Sequence, residues 1–173
     1  MKNWKIIAIF FAGMLTMMML LRWQGNSLFS SESPNGIVSL ELSNGKTQTT
    51  NIIRAWESKE LKTTARNNIL LDFLFIPFYG LFLYSVCGYF CIGQNEPWQR
   101  AGMLLAFGSL VAMVLDGFEN ILMLMSLYGW ISVFISFLTF AFASLKFSLI
   151  ILAVVYIILS SIFKIIQKAT QTR

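Results

Sequence analysis

Four stretches of this 173-residue chain are longer and more apolar than a soluble fold needs, at about 6–23, 69–92, 101–127 and 130–166. A spanning helix takes ~20 apolar residues, because the hydrocarbon core is ~30 Å thick and each residue rises ~1.5 Å. In hydrocarbon, backbone N–H and C=O groups find partners only within a helix or a closed barrel. Runs of this length specify helices. The expected fold class is an all-α integral membrane protein, a four-transmembrane-helix bundle, with residues 1–173 forming a single membrane domain.

The last run would measure ~50 Å as one helix, too long for one upright span. It divides into a short interfacial segment near 130–138 and a fourth span at about 139–163, with a single long tilted helix as the alternative. Pro77 inside the second span predicts a kink or a packing break. The first run follows Lys2 and Lys5 as a signal peptide would, but Leu20-Leu21-Arg22-Trp23-Gln24 offers no small-x-small cleavage site. It is expected to be an uncleaved first span. Trp4, Trp23, Trp56, Trp98 and Trp130 all fall at span ends or in an interfacial helix, as an aromatic belt requires.

Residues 24–68 form the one sizeable polar insertion. Within it, Ile37 to Leu42 alternate so that Val38, Leu40 and Leu42 share a face, which predicts a short strand between Pro34-Asn35-Gly36 and Asn44-Gly45 turns. Thr49 to Arg66 reads as an amphipathic helix, with Ile52, Ile53 and Trp56 on one side. It would lie partly in the headgroup layer and partly on the strand. Together these elements make a small extracytoplasmic cap, a short strand or hairpin plus an amphipathic helix. Four spans put both termini on one side, and Lys2, Lys5, Lys164, Lys168 and Arg173 favour the cytoplasm.

Composition narrows the chemistry. Charged residues are 12% of the chain against 57% apolar, and the net charge of +5 is not gathered into a dense run, so nucleic acid is not an expected partner and membrane lipids are. There is no histidine, and the two cysteines, Cys87 and Cys91, sit in an apolar segment. No metal and no cofactor are expected. Gly102 with Ala106, and Gly108 with Ala112, permit close helix approach. That serves packing within the bundle, or else a homo-oligomer or a membrane-protein partner.

Ionisable groups within a bilayer cost roughly 2.5–3.5 kcal/mol each, so they are usually paired or functional. Here they are Asp72, Asp116, Glu119 and Lys146. Asp116, Glu119 and Asn120 share one stripe of the third span, and Asn68, Asp72 and Tyr79 one stripe of the second. From the span boundaries, Asp72 lies ~5 Å below the outer edge, Asp116 ~22 Å up from the inner edge, and Lys146 ~10 Å below the outer edge. All are expected to turn inward and meet as one polar cluster near the outer leaflet. Three carboxylates exceed one lysine, so one carboxyl holds a proton, or Arg54, Arg66 or a bound cation completes the neutralisation. Asp72, Asp116 and Glu119 are the catalytic candidates.

The segments Gly36-Ile37-Val38-Ser39-Leu40-Glu41-Leu42, Leu71-Asp72-Phe73-Leu74-Phe75-Ile76, Leu115-Asp116-Gly117-Phe118-Glu119-Asn120 and Leu145-Lys146-Phe147 together resemble a group of small bacterial inner-membrane proteins with four spans. The resemblance covers about residues 36–150. It implies a bacterial inner-membrane location and no particular activity. Lipoprotein signal peptidases also place two aspartates near the outer face of four helices, but their asparagine-rich motifs are missing here.

Three functions remain. The first is a structural or interaction protein whose buried charges fix helix register. The second is a binding site, or a hydrolase-type enzyme, for an amphiphilic lipid-like ligand, with Met- and Phe-rich walls holding the tail. The third is proton or cation translocation. An open cavity lined by the charges favours the second, and a solid, fully paired cluster the first.

Overall fold

The computed structural model describes residues 4–92 and 94–171, with the side chains of 168–171 excluded. Lys2 and Arg173, and the side chain of Lys168, which entered the topology argument, lie outside the described residues. The order is α1 (Trp4–Gln24), a 3-10 turn at Asn26–Leu28, α2 (Ile37–Glu41), α3 (Lys46–Ser58), α4 (Lys62–Cys91), α5 (Glu96–Leu127) and α6 (Val133–Gln171). Helices α1, α4, α5 and α6 are each long and apolar enough to cross a membrane.

Local chemistry explains where these helices begin and end. α5 starts after the extended Asn95, with Glu96 and Pro97 in its first turn, the residues that suit the positive, donor-rich end of a helix. Gly129, at φ +96°, reverses the chain after α5. Ser132 then caps α6, its Oγ accepting from the Ile135 N–H at 3.1 Å. Because of that cap, residues from Val133 onward belong to α6. The expected separate interfacial segment at 130–138 is therefore replaced by the single long helix. Ser136 in its second turn is buried and takes a hydrogen bond from the Thr49 hydroxyl at 3.0 Å, tying the start of α6 to α3.

α4 runs on without interruption through Pro77, which sits on its exposed side. α4 packs against α1, α5 and α6, and α5 against α6. Among the described residues, α1 packs on α4 and makes no comparable contact with α5 or α6. Small residues let these helices close up. A Cβ on Gly102 would come within 2.2 Å of the Tyr156 hydroxyl and 2.8 Å of the Cys91 Cβ, so this glycine serves the junction of α4, α5 and α6. Gly80 meets Met113, and Gly13 meets Phe78, in the same way.

The insertion is helical, and this corrects the expected strand. Ile37–Glu41 forms α2, and the described residues contain no strand. A lone strand would leave its N–H and C=O groups unpaired, whereas one helical turn pairs them locally. The expected amphipathic helix is also divided. It spans Lys46–Ser58 as α3, and the chain breaks at Glu60, φ +58°, before α4 begins.

The apolar face of α3 is turned onto protein. Ile52, Ile53 and Trp56 form one core with Leu28, Leu40, Ala65, Ile69, Met123 and Leu127. Trp56 is 1% exposed, and its indole N–H donates to the Leu28 carbonyl at 3.0 Å. It is a core residue, not part of an aromatic belt. Trp4, Trp23 and Trp130 are exposed. Burying each such large apolar side chain contributes ~1.5–3 kcal/mol, enough to hold this small cap on the ends of α4 and α5.

Candidate functional site

α6 brings Lys146 inward, and three carboxylates converge on it. Its ammonium donates to Asp116 Oδ1 at 2.5 Å and to Glu119 Oε1 at 3.1 Å. Asp116 and Glu119 lie on one face of α5 because they are three residues apart. The third carboxylate, Glu41 Oε2 at 3.3 Å, comes from α2. Lys146, Asp116 and Glu119 are 4%, 3% and 0% exposed. At such depth charges are tolerable only in pairs, since breaking one buried pair costs ~3–5 kcal/mol.

The second-span stripe reaches the same place by two routes. The Tyr79 hydroxyl donates to Asp116 Oδ2 at 2.8 Å. Asp72 is half-buried and accepts from the Asn120 amide at 2.8 Å. That bond fixes the amide orientation, because a carboxylate oxygen only accepts. Asn120 Oδ1 is left buried with no partner. Asn68 does not join the charges. Its amide donates to the Leu21 carbonyl at 3.0 Å and to Gln24 Oε1 at 2.6 Å, fastening α4 to the end of α1. Gly25 makes room for that contact, since a Cβ there would lie 2.7 Å from the Asn68 amide nitrogen. Arg54 and Arg66 are exposed, so neither supplies the missing positive charge.

Glu41 is the residue that sequence reasoning missed. As part of a strand it would have pointed away from the apolar face. On α2 it is buried, and it is the single charged residue between Glu32 and Lys46. An isolated acid within a short apolar segment beside a membrane domain is the signal that was available.

These groups line one end of a cavity of about 520 Å³. Glu41, Asp72, Asp116, Asn120 and Lys146 line it near α2 together with the apolar Leu21, Phe29, Ile37 and Val38, while Met14, Phe82, Leu83, Ile150 and Val154 continue the lining along α1, α4 and α6 with no charge among them. Along α4 the lining runs from Asn68 to Leu83, ~22 Å at the helical rise. α1 and α6 flank the cavity, α4 backs it and α2 roofs it. The exposed Arg22 stands at the rim. Glu119 is outside the lining and serves Lys146 from behind.

Among the described residues, no group of three or more His, Cys, Asp or Glu side chains is arranged to hold a metal ion. The convergent point of the carboxylates already holds the Lys146 ammonium. Fold and site thus define a helical bundle with four membrane-length helices and a half-open cavity lined by both charged and apolar side chains. Compared with family models, curated proteins and solved structures, the chain finds no match.

Proposed function

We propose that the chain is a multi-pass protein of the bacterial inner membrane, with cytoplasmic termini and the helical cap outside, that binds a lipid-like amphiphile between α1 and α6. One observation carries this reading, the elongated cavity charged at one end and apolar at the other. A cluster that served only to fix helix register would be packed solid. This one faces a space within the ~300–1,000 Å³ range of small-molecule sites. Its apolar walls suit an alkyl chain, and its charged end suits a polar head lying just under the cap.

The lateral position of α1 supports entry from the lipid. α1 is held chiefly by α4, so the cavity's front depends on two helices that do not grip one another. Of the three catalytic candidates, Asp116 and Glu119 are engaged by Lys146, and Asp72 keeps a carboxylate oxygen for a ligand. Binding is the function this geometry serves first. Any hydrolytic step would fall to Asp72.

Native mass spectrometry of the protein in a mild detergent tests the reading. The expected result is one amphiphile retained per chain, lost in Ile150→Trp, which fills the apolar half. Equal retention by the wild type and the filled variant would refute it.

A further inference from the structure

We infer that the head group this cavity selects is a hydrogen-donating ammonium, so that the preferred occupant is a primary-amine amphiphile and not an anionic one. The inference rests on the amphiphile-binding reading above. Two features of the charged end carry it independently.

The first is the balance of charge. Glu41, Asp72 and Asp116 line the cavity and Glu119 adds a further carboxylate behind, against Lys146 among them and the exposed Arg22 at the rim, so acids outnumber cations. The second is hydrogen bonding. Asn120 Oδ1 is buried with no partner, and Asn120 lines the cavity, whereas Glu41 Oε2 and Glu119 Oε2, which form no hydrogen bond, share the single Lys146 ammonium at 3.3 and 3.0 Å. Asn120 is fully buried and Glu41 is 7% exposed. A buried acceptor without a donor has given up its hydrogen bonds to water and gained none, so it favours a ligand that donates. An ammonium brings three N–H donors and a positive charge, and so satisfies both features at once. A sulfate or phosphate would bring acceptors to acceptors and a negative charge to carboxylates.

The test is a competition. Protein in mild detergent receives equimolar tetradecylamine, tetradecanol and sodium tetradecyl sulfate at neutral pH, and native mass spectrometry reads the ratio of one-to-one complexes. The expected result is at least a tenfold preference for the amine over the sulfate, with the alcohol between them. Asp72→Asn should erase most of that preference. This variant breaks no ion pair, and its new carbonyl oxygen can still accept from Asn120. Glu41→Gln should reduce the preference in the same direction. Equal occupancy by the three chains, or a preference for sulfate, overturns the inference and leaves the cavity reading standing. Failure of all three to exceed the level in Ile150→Trp overturns the cavity reading, and this inference with it.

Discussion

Replacing Lys146 by Met removes the cation on which Asp116, Glu119 and Glu41 converge. Methionine has a similar length and an apolar stem, so the change leaves little void. What it leaves is three carboxylates facing one another, two of them at most 3% exposed. Removing one partner of a buried pair costs ~3–5 kcal/mol, and here three acids lose the same partner, so the upper end of that range applies. For a chain of this size each kcal/mol moves the midpoint ~2–4 °C, which gives a fall of ~10–20 °C. Tryptophan fluorescence on heating in detergent reads it, with Trp56 in the cap core as one reporter. Adding Asp116→Asn, Glu119→Gln and Glu41→Gln to Lys146→Met should recover most of the loss, because no charge is then stranded. A fall under ~2 °C, worth less than ~1 kcal/mol by the same conversion, would refute the argument that these charges are desolvated and mutually dependent.

Other substitutions test the parts that position the site. Trp56→Phe removes the donor to Leu28 and Ser33 and leaves a void where the larger ring stood, and should cost ~1–3 kcal/mol in thermal or denaturant unfolding. Ser132→Ala removes the cap of α6 and should cost ~1 kcal/mol, seen as faster amide exchange in the first turn of that helix. Gly102→Ala forces a methyl group against Tyr156 and Cys91, and should cost ~1–3 kcal/mol with an unchanged elution volume on size exclusion, since this glycine serves packing within one chain.

The long helices and the inward faces were legible because both follow from periodicity. Three- and four-residue spacing on α5 placed Asp116, Glu119 and Asn120 on one stripe, and length alone marked the four apolar runs. The cap was not legible in the same way. Val38, Leu40 and Leu42 alternate, yet six residues fit one helical turn as well as they fit a strand, and the absence of a partner strand decides between them. Misreading α2 hid Glu41, whose role depends on which way that turn faces. Ser132 was readable as a cap, but the length of the run behind it argued for a break. Asn68 matched the stripe of Asp72 and Tyr79 in register, yet Gln24 and the Leu21 carbonyl lie nearer and take its donors. The cavity itself could not be read from sequence. It arises from how α1 sits against α4 and apart from α6, and no local pattern encodes that separation.

The central claim is that the space between α1 and α6 holds an amphiphile with its head at Asp72 and Asn120. A crystal structure grown from a lipid mesophase addresses this most directly. The account predicts continuous elongated density along α4 from the level of Asp72 to that of Leu83, ending in a head group within hydrogen-bond distance of Asp72 or Asn120. A collapsed cleft with α1 packed against α6, or a cavity holding only ordered water, would contradict it.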